Sequence, residues 1–231
     1  MRIGLHGLGG PDPAFAPWPS LIAALGQEAE IVERGEPCDA LLVCGVLDVP
    51  EGETVVAFAR GGGPVLGVGH GFRSLCGLGL LPGRVTASAE EDDREPWDAH
   101  VRIEGRATPF TSAIPAGRVM NLNSVSGVGL RYDIGEPEAL EARGQVIFRY
   151  CDAAGGPLAP TRSPTDARSF DVSQLRLSSV PLIAPRERAR LIAGVCGEAA
   201  NVVGVLAVAE AVEGLGAQLL ASLRLHLHSK R

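Results

Sequence analysis

Residues Pro64 to Gly83 read PVLGVGHGFRSLCGLGLLPG, and this stretch decides the fold class. It opens with an apolar run of the kind seen in parallel strands whose sheet is covered on both faces. The run leads directly into Gly69, His70 and Gly71, and then into a helical pattern through Leu75. A buried strand that turns through glycines into a helix is typical of a nucleophile elbow, in which the central residue projects at the carboxyl end of the strand.

The stretches before this elbow alternate in the same way between strand and helix. We predict strands at Arg2 to Gly7 and Ala40 to Cys44, and helices at Pro17 to Gln27 and Thr54 to Arg60. Short buried strands that alternate with helices indicate a parallel sheet. The chain is therefore predicted to be an α/β protein with a doubly wound, mostly parallel sheet of the flavodoxin type.

The middle of the chain has a different pattern. Val101 to Glu104 alternates between apolar and polar residues, as an antiparallel strand does, and Val146 to Tyr150 is similar. Residues Asp152 to Pro185 form a long excursion of low regularity, and a last helix is predicted at about Glu210 to Leu225. We interpret residues 1–231 as a single domain with an antiparallel extension of its sheet.

Composition excludes several function classes. The net charge of −6 and the aromatic content of 4% do not provide the basic, aromatic surface that nucleic-acid binding requires. The apolar stretches are all broken before they reach the roughly 18 residues of a membrane span. The five cysteines are widely spaced without a CxxC pair, which favours reduced thiols in the cytoplasm. No cofactor or metal is predicted: the acidic run from Ala89 to Asp93 is interpreted as a solvated loop, and His226 and His228 as a solvated tail.

Four stretches resemble one protein family in the same order along the chain. They are the elbow at Pro64 to Gly83, the stretch from HVRI at His100 to Ile103 through TPFTS at Thr108 to Ser112, GQVIFRYCD at Gly144 to Asp152, and IAGVCGEAANVVG at Ile192 to Gly204. They are similar to motifs of the class I glutamine amidotransferases, in particular the glutaminase subunits of phosphoribosylformylglycinamidine synthase, an enzyme of purine biosynthesis. The resemblance implies a flavodoxin-like fold and a synthetase subunit as the partner.

The chain departs from this family where the resemblance places the catalytic residues. The family's nucleophilic cysteine falls at Gly69 and its histidine at Val208, so that only a carboxylate is kept, at Glu210. The glycine-rich turn of its oxyanion hole falls at Cys44 to Val46. Hydrolysis by this route needs a thiolate nucleophile and an imidazole that carries protons, and neither glycine nor valine supplies them. We therefore interpret Gly69, Val208 and Glu210 as a vestigial site.

Relocated chemistry is the alternative. His6, Cys44 and His70 each follow a predicted strand, and the ends of parallel strands meet at one crevice. Together with Glu210 they could form a Cys–His or His–Glu site, or each could be a loop residue without a special role. The helix that begins after Gly69 also predicts a small phosphate or carboxylate at its N-terminus. Three of the other four cysteines, Cys76, Cys151 and Cys196, are interpreted as structural.

These observations predict a degenerate glutaminase-like subunit without glutamine hydrolysis, acting as a structural or regulatory partner of a synthetase. The alternative is an enzyme with repurposed chemistry in the old pocket, in purine- or nucleoside-related specialised metabolism. A small-molecule binding protein is a third reading. No motif in the sequence identifies a substrate.

Overall fold

Nine strands of the described part of the chain form one sheet. The computed structural model describes residues 1–7, 29–87, 100–105, 107–121, 130–134, 136–157, 192–206 and 215–230. The strands are β1 (Arg2–His6), β2 (Glu30–Val32), β3 (Ala40–Val43), β4 (Val65–Val68), β5 (Arg84–Ala87), β6 (His100–Ile103), β7 (Val119–Asn121), β8 (Leu130–Asp133), β9 (Val146–Cys151), β10 (Ile192–Cys196) and β11 (Val202–Val205). The helices are α1 (Val49–Arg60), α2 (His70–Gly77), α3 (Pro137–Ala142) and α4 (Leu215–Ser229).

The large sheet has a parallel part and an antiparallel part. Its strand order is β2-β1-β3-β4-β11-β10-β9-β6-β7. The pairs from β2 through β11 are parallel, and those from β11 through β7 are antiparallel. Strands β5 and β8 form a separate antiparallel pair. The predicted α/β fold with an antiparallel extension is confirmed.

The apolar runs form the centre of the sheet, where their side chains are buried. Every residue of β3, β4 and β11 is buried, as expected for parallel strands covered on both faces. In β6, buried Val101 and Ile103 alternate with half-buried residues, which matches the predicted antiparallel pattern. The strand ends of the parallel part therefore hold a fixed geometry on which a site can be built.

Several elements differ from the sequence predictions. Helix α1 begins at Val49 rather than Thr54, because Asp48 and Glu51 form a capping box one turn earlier. Helix α4 continues to Ser229, beyond the predicted end at Leu225. Strands β5 and β8 and helix α3 were not predicted.

Some predictions lie outside the described residues. They are the helix at Pro17 to Gln27, the acidic run at Ala89 to Asp93, and most of the excursion from Asp152 to Pro185. The single domain over residues 1–231 stays a prediction, although the sheet joins strands that lie between Arg2 and Val205. Among the described helices, none has the length and apolar character that a bilayer crossing requires.

Candidate functional site

The predicted elbow forms at the carboxyl end of β4. Gly69 lies between β4 and α2 with φ 56° and ψ −115°, a left-handed backbone conformation that glycine adopts without steric cost. Its N–H donates a hydrogen bond to the carbonyl of Val205 at 3.0 Å, which ties the turn to neighbouring β11. The geometry of a nucleophile elbow is therefore present, and the residue at its apex has no side chain.

The close approach of α2 to β3 holds the elbow in place. A Cβ atom on Gly71 would overlap the carbonyl group of Val43. One turn further along the helix, the Ser74 hydroxyl donates a hydrogen bond to the carbonyl oxygen of Gly45 at 3.1 Å. Helix α2 is thereby fixed against the segment that follows β3, which is where the resemblance puts the oxyanion turn.

His6 ends β1 and is 2% exposed. Its Nδ1 atom lies 3.9 Å from Oε1 of Glu51 and has no hydrogen-bond partner among the described residues. Burial lowers the pKa of His6 below its usual value, and the Arg34 guanidinium adds to this, whereas the carboxylates of Glu51 and Asp48 act in the opposite direction. The net lowering favours a neutral imidazole, which can accept or donate a proton.

The basic neighbour of His6 comes from the segment after β2, and its acidic neighbours come from the N-cap and first turn of α1. The Arg34 guanidinium lies 3.3 Å from Oδ1 of Asp48 and 3.7 Å from Oε1 of Glu51. The Asp48 carboxylate in turn accepts a hydrogen bond from the Glu51 N–H at 2.8 Å. We call His6, Arg34, Asp48 and Glu51 the His6 cluster. Sequence reasoning missed Arg34 and Glu51 as neighbours of His6, although the D-x-x-E spacing at Asp48 and Glu51 signals a capping box.

Cys44 and His70 lie at the same sheet edge in different surroundings. The N–H of Cys44 donates to the carbonyl of His6 at 3.1 Å, so the two strand ends are adjacent. The Cys44 side chain is fully buried in the hydrophobic core and has no open face for a substrate. His70 is the first residue of α2, and its buried Nδ1 atom lacks a hydrogen-bond partner in the described part of the chain. A relocated site built on these three residues stays a prediction.

Two of the three cysteines interpreted as structural have thiols that stay protonated. Burial raises the pKa of Cys76 to about 12 and that of Cys151 to about 11. Since the thiolate is the reactive form, neither residue is a nucleophile near neutral pH. Cys196 is fully buried in the core. All three positions agree with the structural interpretation.

Of the other residues that the resemblance places at the site, only some belong to the described part of the chain. Val46 is 68% exposed, so it does not plug a crevice beside the elbow. Val208 and Glu210 lie outside the described residues, and the anion at the Gly69 turn stays a prediction. Within the described ranges, no group of three or more His, Cys, Asp or Glu side chains is arranged to hold a metal ion.

Comparison with known proteins identifies relatives of this chain. The chain is 34% identical over 159 residues to the phosphoribosylformylglycinamidine synthase subunit PurQ of Bradyrhizobium diazoefficiens, covering 67% of each chain. It is 35% identical over 162 residues to PurQ of Rhodopseudomonas palustris, again covering 67% of each. No protein-family model matches the chain.

A solved structure extends the likeness to the whole fold. One chain of the PurLQS structure from Thermotoga maritima aligns with a TM-score of 0.61, covering 98% of each chain at 17% identity. At that identity the alignment shows the fold alone, whereas the identity to the curated relatives over two thirds of their length shows kinship. This chain belongs to the PurQ family, the glutaminase-type subunits of phosphoribosylformylglycinamidine synthase.

Proposed function

We propose that this PurQ-family chain does not hydrolyse glutamine and acts as a structural or regulatory partner of a synthetase subunit. The observation that carries the proposal is Gly69 at the apex of an intact elbow. A backbone that keeps the turn without a thiol can present N–H groups but cannot form an acyl-enzyme bond. The vestigial residues Val208 and Glu210 extend the proposal through the family resemblance, since valine carries no proton.

Neither Cys44 nor Cys76 replaces the missing thiol at the apex of the elbow. Cys44 follows the neighbouring strand, but its side chain is fully buried in the core. Cys76 lies in α2 itself and stays protonated, since burial raises its pKa to about 12. Both observations support a subunit without a working nucleophile.

The partner is inferred from the relatives. The curated proteins are named as subunits of phosphoribosylformylglycinamidine synthase, and the Thermotoga maritima neighbour belongs to a structure named PurLQS. We infer that this chain binds a synthetase subunit of the PurL kind. A chain that has the fold but lacks the thiol at the elbow suits a subunit whose role is to bind the synthetase.

A second candidate is an enzyme with repurposed chemistry in the same pocket, and the His6 cluster favours it. The cluster supplies an imidazole, two carboxylates and a guanidinium at the sheet edge that bears the elbow: Glu51 lies within 4 Å of His6, and Arg34 lies within 4 Å of both Glu51 and Asp48. A neutral histidine beside a carboxylate is a common general base. In this reading, His6 and His70 would be needed for activity.

Mixing the chain with the PurL-like synthetase of the same genome tests the proposed partner. At about 10 μM of each protein, which populates complexes with micromolar Kd, we expect co-elution in gel filtration. Separate elution of the two proteins in the presence of glutamine, nucleotide and Mg²⁺ would contradict the proposed partner role.

Substitution of the histidines separates the two candidates. For a partner subunit, His6→Gln and His70→Gln leave the synthetase activity of the complex at the level given by the exposed control His228→Gln. A loss of at least about tenfold in both variants, with the complex intact, would instead support repurposed chemistry.

A further inference from the structure

A cavity of about 740 Å³ lies at the edge of the sheet opposite the elbow. Its walls include Asn201 and Val202, at the start of β11, and Arg60, which ends the helix before β4. Gly69 follows the other end of β4, and β4 and β11 run parallel. The cavity is therefore separated from the elbow by the length of the strands, and it lies within the size range of small-molecule sites.

Stretches that are distant in sequence meet at this cavity. Thr108 and Ser112 come from the TPFTS motif, Gln145 precedes β9, and residues 197–201 form the turn between β10 and β11. Leu81 is contributed by the segment after α2. The elbow chemistry uses none of these residues, so the cavity is an independent feature of the fold.

The charged side chains that line the cavity are mainly cationic. Arg60, Arg143 and Lys230 contribute positive charges, and Glu198 contributes the only carboxylate among the described lining residues. The Arg143 guanidinium is 4.0 Å from the Glu198 carboxylate, whose side chain is 86% exposed. A local excess of positive charge on a chain with a net charge of −6 favours an anionic ligand.

Gln145 supplies the second, independent observation. It is 2% exposed, its Nε2 donates to the carbonyl of Cys196 at 3.1 Å, and its Oε1 is a buried acceptor without a partner. The hydrogen bond to Cys196 fixes the orientation of the amide, because the opposite orientation would place two oxygens against each other. A buried acceptor is costly to leave unsatisfied, so this wall of the cavity is suited to a ligand hydroxyl or amine.

His226 adds a second unpartnered atom. The sequence suggested a solvated histidine, but helix α4 continues past it and His226 is one of the residues that line the cavity; its Nε2 atom is buried and has no hydrogen-bond partner among the described residues. Burial lowers the pKa of His226, and neighbouring Lys230 lowers it further, which favours the neutral ring; in the tautomer protonated at Nε2, that atom is a hydrogen-bond donor. An anionic oxygen would satisfy that donor.

We propose that this cavity binds a small phosphorylated metabolite that also carries hydroxyl groups. The phosphate lies among Arg60, Arg143 and Lys230, and a hydroxyl donates to Oε1 of Gln145. Arg60 and Lys230 are also close to helix C-termini, where a cation is expected on other grounds. That position does not account for the unpartnered oxygen of Gln145, which is why the ligand must combine an anion with a donor.

Calorimetric titration of the full chain with three probes tests the proposal. The probes are ribose 5-phosphate, which has both groups, ribose, which lacks the anion, and inorganic phosphate, which lacks the hydroxyls. We expect ribose 5-phosphate to bind at least about tenfold more tightly than either of the others. No saturable heat for any probe up to about 10 mM, beyond the millimolar Kd range, would overturn the proposal.

Matched variants locate the site. Arg60→Gln and Lys230→Gln are each expected to weaken ribose 5-phosphate binding about tenfold, the loss expected for one charge-assisted contact. The control Arg118→Gln removes an exposed arginine outside the cavity and leaves the affinity unchanged. Equal effects of all three variants would show a diffuse electrostatic contact and contradict a built site.

Amide chemical shifts provide a readout that does not depend on a variant. On addition of ribose 5-phosphate, the amides of Thr108, Gln145 and Ala200 should shift, and that of Gly69 should not. Shifts confined to the Gly69 turn would overturn the assignment to this cavity. The result is independent of the proposed loss of glutaminase activity, because neither the elbow nor the partner takes part in it.

Discussion

Gly69 has a backbone conformation that is strained for any residue with a side chain. At φ 56° and ψ −115°, a Cβ atom is placed against its own backbone, at a cost of about 1–3 kcal/mol. We therefore expect Gly69→Ala to lower the free energy of unfolding by about that amount in urea denaturation. Gly77→Ala, in the same helix and with open space around the added Cβ, is the matched control and should not be destabilising. An equal effect of the two substitutions would argue against a strained turn.

His6 gives the fold a pH dependence whose sign follows from its lowered pKa. The unfolded chain takes up a proton near the usual value of 6.5, whereas the buried imidazole resists it. Stability is therefore fully present above pH 6.5 and declines as the pH falls through the lower pKa of the folded state. We expect the free energy of unfolding, measured from pH 7.5 to pH 5, to decrease less steeply in His6→Gln than in the unmodified chain.

The exposed His228 provides the control for that titration. His228→Gln should retain the slope of the unmodified chain, because its ring lies on the surface of α4. If His6→Gln keeps the full slope as well, the acid sensitivity originates elsewhere.

At the scale of elements, the start of α1 depends on one side chain. Asp48 accepts a hydrogen bond from the N–H of Glu51 at 2.8 Å, and Glu51 reaches back to the N–H of Asp48 at 3.3 Å. Asp48→Ala leaves the N–H of Glu51 without its cap and should cost about 1 kcal/mol of stability in thermal or urea unfolding. Glu53→Ala, at an exposed position in the same helix, should change stability by less than about 0.5 kcal/mol.

Some elements could be predicted from the sequence, and others, such as the start of α1 at its capping box, could not. The strands β3, β4 and β11 were predictable because each is a continuous run without polar residues that a sheet buries on both faces. The start of α1 was placed too late because Pro50 and Gly52 suggest a loop, and only the reciprocal hydrogen bonds of the box extend the helix to Val49. Strands β5 and β8 pair across more than forty residues, so no local periodicity identifies them.

At the scale of the molecule, the elbow could be predicted from the sequence, whereas the arrangement of the residues around it could not. The elbow was predictable because the strand, the glycines and the helix are contiguous in the chain. The His6 cluster and the cavity were not predictable, since their side chains come from separate parts of the chain that only the sheet order brings together. The buried position of Cys44 was equally hidden, because a residue that follows a strand can point to the core or to the crevice.

Restoring a thiol at the elbow is not expected to restore the reaction. Gly69→Cys supplies a nucleophile, but the resemblance places the family's histidine at Val208, and valine provides no imidazole to form the thiolate. We expect glutamine turnover of Gly69→Cys to stay at background in an ammonia-release assay. Recovery to the rate of an active PurQ would mean that His6 or His70 serves as its base, and would contradict the vestigial interpretation.

The measurement that tests the central claim most directly is ammonia release from glutamine by the unmodified chain, assayed in complex with its synthetase and beside an active PurQ as reference. The account predicts no release above the enzyme-free blank, because the apex of the elbow, Gly69, has no side chain to attack the amide. Turnover within about a hundredfold of the reference, abolished by Cys44→Ala, would contradict it and assign the reaction to a relocated nucleophile.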